Sequence, residues 1–264
     1  MSNYRISVLM GIYNCAPTLQ EALDSLYAQT FQNFKIILCD DGSNDDTLAI
    51  AERNANEHPG KVTVIKNERN MGLNYTLNHC LKYADTEYCA RMDGDDISMP
   101  ERFEKEIQFL NKHPEYAVVS APMIYFDEKG DFRKGKGNGE VKTKDFVLGT
   151  PICHAPSMSR TSVLKAVGGY SVSRKLLRVE DYHLWFKVFA AGHKLFMLDE
   201  CLYKMRDDRN AIARRDWLTR CNEAYVKHIG YKMIGLPWWY QIYSLVPILK
   251  YFVPKWLYSH FHKN

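Results

Sequence analysis

The chain has 264 residues, 46% of them hydrophobic and 25% charged, which is ordinary for a globular protein and enough for one large core. A net charge of +4 is too small to mark a nucleic-acid binder. Seven scattered cysteines, odd in number and without a C-x-x-C pair, speak against a disulfide framework or a zinc site and for a reducing cytosol.

The opening stretch "MSNYRISVLMGIYN" lacks a secretory-signal pattern, and no apolar run long enough to span a bilayer is free of charged or strongly polar residues. "ISVLMGIY" (6–13) is predicted to be a strand that ends in a loop. "TLQEALDSLYAQT" follows as a helix, with Thr18 and Glu21 at capping-box spacing and Leu19, Ala22, Leu23 and Leu26 on one face. "KIILCDDGS" (35–43) is a second strand stopping in two aspartates and a Gly-Ser turn. A helix over "DDTLAIAERNANEH", a strand over "KVTVIKN" (61–67) and a helix over "LNYTLNHCLKYA" come next. "EYCARMDGDD" reads as the fourth strand. "SMPERFEKEIQFLNKH" reads as a helix opened by Ser98 and Glu101, and "AVVSAPMIYF" as the fifth strand.

Past residue 127 the pattern loosens. "DEKGDFRKGKGNGEVKTKD" is Gly- and Lys-rich and predicts a mobile hairpin or loop. "TSVLKAVGGY" predicts a short helix closed by glycines, "VEDYHLWFKVFAAGH" a helix ending at Gly192, and "KLFMLDECLYKMR" a closing strand pair. Strands alternating with helices imply an α/β fold with a mostly parallel sheet covered on both faces. Ligands bind beyond the carboxyl ends of such strands. Here those ends carry Gly11-Ile12-Tyr13-Asn14, Asp40-Asp41-Gly42-Ser43 and Asp93-Gly94-Asp95-Asp96, which converge along one edge.

Three carboxylates around one glycine repel one another. A solvated turn is one reading, since Asp and Gly are turn residues; a calcium loop lacks its later Gly and terminal Glu. The third reading is a D-x-D that holds Mg²⁺ or Mn²⁺ against the two phosphates of a sugar nucleotide, since hard cations suit carboxylate and phosphate oxygens.

The stretch from residue 4 to 112 closely resembles the nucleotide-binding half of family 2 glycosyltransferases with the Rossmann-like GT-A fold. The Y-N turn, Q-T-F, D-D-G-S, N-x-G and D-x-D-D occur in order. The resemblance weakens across 127–150 and resumes at "HAPSMSR" (154–160) and "VEDYHLW" (179–185). It is strongest toward bacterial capsule, O-antigen and exopolysaccharide enzymes. It implies that Gly11 and Tyr13 contact the nucleotide and that Asp41 accepts a hydrogen bond from the base. Asp93 then lies near ribose and metal, and Asp95 is the direct metal ligand. Asp40 is expected to cap its turn, and Asp96 to hold the turn that follows it. Leu77 stands where the family often has a nucleotide-contacting arginine, and Arg91 is expected to face the helices.

Asp181, in "RVEDYHLW", matches the family's general base, and a positioned carboxylate is what a weakly nucleophilic sugar hydroxyl needs. A plain helix N-terminus also favours the pair Glu180-Asp181. His154 matches a stretch lining the acceptor side. The family's late Y-R-x-H is replaced by "LYKMRDDRNAIARR", so Arg206, Arg209 and Arg214 stand in line either to neutralise the departing diphosphate or to form a solvated basic face.

The segment 230–264 is dense in aromatic residues, interleaved with Lys250, Lys255 and Lys263 and broken by Pro237, Pro247 and Pro254. It reads as a helical membrane-surface anchor, with a dimer contact as the alternative. The division is therefore 1–126 for the nucleotide-sugar half, 127–229 for the acceptor half of the same domain, and 230–264 for the tail. The expected activity is inverting, metal-dependent transfer from a nucleotide sugar, expected to be a UDP-sugar, to a glycan or lipid-linked acceptor, at the cytoplasmic face of the cell membrane. A sugar-nucleotide nucleotidyltransferase needs a Gly-rich basic loop after strand one, which "GIYNCAPT" lacks. A non-catalytic nucleotide-sugar-binding module has no use for Glu180-Asp181.

Overall fold

The computed structural model describes residues 3–207 and 216–252. In chain order the first half gives β1 (Ile6–Ile12), α1 (Ala16–Tyr27), β2 (Phe34–Asp40), α2 (Thr47–Glu57), β3 (Val62–Lys66), α3 (Leu73–Tyr83) and β4 (Tyr88–Arg91). A short β5 (Ile97–Ser98), α4 (Arg102–Lys112), β6 (Tyr116–Ser120), β7 (Met123–Asp127), β8 (Gly130–Lys134), β9 (Gly139–Glu140) and α5 (Asp145–Leu148) follow. The chain then forms β10 (Met158–Arg160), α6 (Thr161–Ala166), α7 (Glu180–Ala190), β11 (Lys194–Met197), β12 (Tyr203–Arg206), α8 (Trp217–Met233) and α9 (Val246–Tyr251).

The main sheet has the order β3-β2-β1-β4-β10-β6-β11-β9. Its first four strands are parallel, β10 runs against both neighbours, and β9 is an antiparallel edge. It is thus mixed and mainly parallel. The alternation of β1 shows how it is covered. Ile6, Val8, Met10 and Ile12 enter one core with Leu19, Leu23 and Leu26 of α1 and Phe103, Ile107 and Leu110 of α4. Leu9 enters the other, with Leu77 and Leu81 of α3 and Leu184, Trp185 and Val188 of α7. Period-two side chains on a sheet and period-3.6 faces on helices meet on both sides.

A second sheet, β5-β12-β7-β8, stands at the rim. Two predicted strands are corrected by it. "AVVSAPMIYF" is cut at Ala121-Pro122 into β6 of the main sheet and β7 of the small one. "KLFMLDECLYKMR" gives β11 and β12, which pair in different sheets and not with each other. Neither predicted capping box forms. Helix α1 starts at Ala16, with Thr18 Oγ1 donating to the carbonyls of Cys15 and Gly94, while Ser98 lies in β5 and α4 begins at Arg102. The Gly- and Lys-rich segment supplies the turn and the second strand of the β7–β8 hairpin, with Gly130 at positive φ where β8 begins.

After α8 a 3₁₀ stretch (Trp238–Leu245) and α9 pack back on α8. Among the described residues no helix is long and apolar enough to cross a membrane. The lysines at 255 and 263, Pro254, and the arginines at 209 and 214 lie outside the described residues.

Candidate active site

The loops after β1, β2 and β4 are tied to one another by hydrogen bonds. Asn14, at φ 48°, donates its amide to Ser43 Oγ (3.0 Å) and accepts from the Asn44 amide (2.8 Å). Asp45 accepts from the Ala16 amide at the start of α1 (3.1 Å). Gly94 lies against the first loop so closely that a Cβ there would come 2.8 Å from Cys15 Sγ. The D-G-D turn needs its glycine for that approach. Gly42, at φ +76°, lets the second loop touch the backbone of Arg69 and Asn70.

Tyr13 is 44% exposed at this edge, free to offer a ring face. Gly11 sits under α3, where a Cβ would meet Leu73 and Thr76 at 3.1 Å, so its lack of a side chain serves helix packing. Asp40 caps its turn as expected, accepting from the amides of Gly42 and Ser43. Asp41 is buried. Its Oδ1 accepts from Asn67 Nδ2 (2.7 Å) and the Met71 amide (2.8 Å), and its Oδ2 from the Gly72 amide (2.9 Å). One lone pair of Oδ2 remains for a further donor. His79 Nδ1 holds Asn67 from behind at 2.8 Å. Leu77 is fully buried core.

The D-x-D-D turn divides its carboxylates. Asp96 is 2% exposed and accepts from the Arg206 amide (2.8 Å) and from Tyr203. Burial, then the charges of Asp93 and Asp95, push its carboxyl up to about 8. Asp96, expected to hold the turn that follows it, instead ties the end of β12 to the D-x-D-D turn. Burial, then the Asp93 charge, also raise the Asp95 carboxyl. Asp93 donates its amide to Tyr203 OH (3.1 Å) and pairs through its carboxylate with Arg91. Arg91, expected to face the helices, instead turns to the carboxylates and is 4% exposed. Arg206 reaches the same turn: Nε donates to the Asp95 carbonyl (2.9 Å), and the guanidinium pairs with Glu21 and covers the Phe126 ring.

Asp93 and Asp95 fit a hard divalent cation, because both present carboxylate oxygens, and a positive charge brought beside the exposed Asp95 offsets the repulsion it feels from Asp93. Among the described residues no three His, Cys, Asp or Glu side chains converge as a metal cage. Phosphate and water oxygens would complete the shell, the usual arrangement for Mg²⁺.

The residues expected on the acceptor side gather at the start of α7 and beside it. Arg178 takes φ 65° before the helix, and its amide and that of Glu180 hold the Glu180 carboxylate. Burial raises the Glu180 carboxyl, and the buried Oε2 has no protein partner. Asp181, half-buried in the first turn, shares its electrostatic field with Tyr170 and Cys153. His154 Nε2 is 2.7 Å from Tyr170 OH, and its ring meets Trp185 edge-on. Burial and then the Arg91 charge keep His154 well below the ordinary histidine range, so it is neutral.

Sequence reasoning overlooked the residues behind the turn. Arg102, fully buried, donates to the Arg91 carbonyl (2.8 Å), pairs with Glu106 at 3.3 Å and lies over the Tyr203 ring. Tyr203 in turn bonds Asp93 and Asp96. The readable signal was an arginine inside the apolar run "YCARM". Tyr203 and Arg102 carried none. A surface hollow of about 410 Å³ lined by Val141, Phe189 and His193 lies by β9 and β11, at the other end of the sheet.

The family model for Glycosyl transferase family 2 matches residues 7–167. EpsE of Bacillus subtilis is 38% identical over 264 residues, covering 100% of this chain and 95% of that one. The amylovoran biosynthesis glycosyltransferase AmsE of Erwinia amylovora is 34% identical, covering 80% of each. The UDP-Glc:alpha-D-GlcNAc-diphosphoundecaprenol beta-1,3-glucosyltransferase WfaP of Escherichia coli is 27% identical, covering 72% of each. The fold is that of S. aureus TarS, solved with UDP-GlcNAc: TM-score 0.70, 20% identity, 91% of this chain and 69% of that one. It is also that of mannosyltransferase PcManGT from Pyrobaculum calidifontis, solved with GDP-Man and Mn²⁺: TM-score 0.62, 18% identity, 93% and 74%.

Proposed function

The chain belongs to glycosyl transferase family 2, and from that premise we propose that it is an inverting transferase for surface polysaccharide. It takes a sugar from a UDP-sugar and passes it to a hydroxyl of a glycan or lipid-linked acceptor. The observation that carries this reading is the division of labour in the D-x-D-D turn. Asp96 is consumed by Arg206 and Tyr203, which leaves Asp93 and Asp95 to a metal beside the Tyr13 and Asp41 loops.

A divalent ion bound there would balance the charge of the leaving diphosphate. The rest is done by the chain. Tyr13 offers a stacking face for the base, and the remaining lone pair of Asp41 takes an imide N–H, which uracil has. Asp181 accepts the proton of the acceptor hydroxyl as that oxygen attacks the anomeric carbon from the face opposite the diphosphate. His154, neutral and held by Tyr170, lines the acceptor side, and Arg206 stands at the diphosphate side. The names of WfaP and AmsE support a lipid-linked acceptor and an exopolysaccharide product. The exposed aromatic surface of 238–252 supports a position on the inner face of the membrane.

Calorimetric titration of UDP and GDP with and without Mn²⁺ tests the reading. Manganese-dependent UDP binding that disappears in Asp95→Ala is expected. A folded protein that binds neither nucleotide overturns it, and a preference for GDP changes the donor.

A further inference from the structure

Arg91 ends β4 as a buried cation within the carboxylate turn. One terminal nitrogen donates to the Met92 carbonyl, and the other pairs with Oδ1 of Asp93. The Arg102 guanidinium fixes the carbonyl of the same residue. The charge of Arg91 also reaches Asp95, Glu180 and Tyr170, so it stands between the D-x-D turn and the acceptor helix. A buried charge is tolerated only when paired, and the partner here is a carboxylate that the proposed metal site also needs.

The consequence concerns the order of binding, and it rests on the metal–diphosphate reading above. A divalent ion arriving alone meets Asp93 with one oxygen already engaged and a fixed positive charge directly behind it. A diphosphate arriving with the ion brings negative charge that offsets this repulsion. We propose that Arg91 is a positioning residue that makes metal binding conditional on the nucleotide. It keeps Asp93 aimed and charge-balanced before substrate arrives, and it disfavours a metal held without donor.

The test measures free Mn²⁺ by electron paramagnetic resonance during titration of the full chain, with and without UDP. Wild type is expected to bind Mn²⁺ weakly alone and more tightly with UDP. Arg91→Met and Arg91→Gln are expected to bind Mn²⁺ alone at least about tenfold more tightly, and to gain less from UDP. Arg91→Lys, which keeps the charge, is expected to stay near wild type. Near-ultraviolet circular dichroism checks that each variant is folded, and the two neutral variants back each other up. Neutral variants that bind Mn²⁺ alone no better than wild type overturn the proposal, as does an Arg91→Lys that behaves like them. A wild type that takes up no Mn²⁺ even with UDP overturns the metal reading itself, a separate result.

Discussion

Asp181 and Gly94 make opposite kinds of demand on single positions. Asp181 is asked for chemistry, so Asp181→Asn is expected to leave UDP affinity within about twofold while kcat falls roughly a hundredfold or more, the range for loss of a general base. Equal losses in donor affinity and kcat would instead make Asp181 a structural cap of α7. Gly94 is asked only for room. Its Cβ would sit 2.8 Å from Cys15 Sγ and 3.2 Å from Ile12 Cγ2. Gly94→Ala should therefore destabilise by about 1–3 kcal/mol, as overpacking does, and loosen UDP binding with it. Cys15→Ala in the same chain removes the nearer clash, and thermal denaturation should show much of the loss recovered. A double variant no better than the single one would mean that Gly94 is needed for something other than space.

At the scale of elements, the parallel half was legible because its signals are redundant. Each strand is a β-rich apolar run, each helix repeats at 3.6, and each join carries turn residues. The small sheet was not, since β12 meets β5 and β7 across more than 75 residues of chain, and no local pattern encodes such pairing. Pro122 marked the break between β6 and β7, because proline disfavours continuing a ladder. The same contrast runs through the site. Asp93, Asp95 and Asp181 were readable as charged residues where strands or helices end; Tyr203 and Arg102 matter through contacts that only the folded chain makes. Helix α7 also carries a property no motif announces. His183 is buried beside Lys187, and burial, then that charge, lower its pKa to about 4. A depressed histidine favours the unfolded state once acid protonates it there. Stability is therefore full above the unfolded value near 6.5 and is lost progressively as pH falls toward 4. Denaturant melts should show wild type losing on the order of 3 kcal/mol relative to His183→Gln between pH 7 and 4. Parallel curves for the two proteins would mean that His183 is hydrated in the native state.

The whole molecule is lopsided. One end of the sheet carries the carboxylate edge, while the C-terminal elements leave Trp238 81%, Trp239 58%, Ile242 68%, Leu249 64% and Phe252 70% exposed. Side chains of this size rarely gather in water without a partner, and two adjacent tryptophans suit the lipid–water interface. Lys232 and Lys250, in the last turns of α8 and α9, add the charge that an anionic bilayer attracts. Wild type is expected to sediment with phosphatidylglycerol vesicles and less with phosphatidylcholine, more weakly as salt rises. Replacing Trp238 and Trp239 by Glu removes two apolar anchors, each worth about 1.5–3 kcal/mol when fully buried, and should weaken vesicle binding by at least roughly tenfold. Soluble-acceptor activity should be unchanged, because the site lies on other elements. If the variant sediments as wild type does, the face is not a lipid contact. If it instead halves the mass seen by light scattering, the aromatic face joins two copies of the chain.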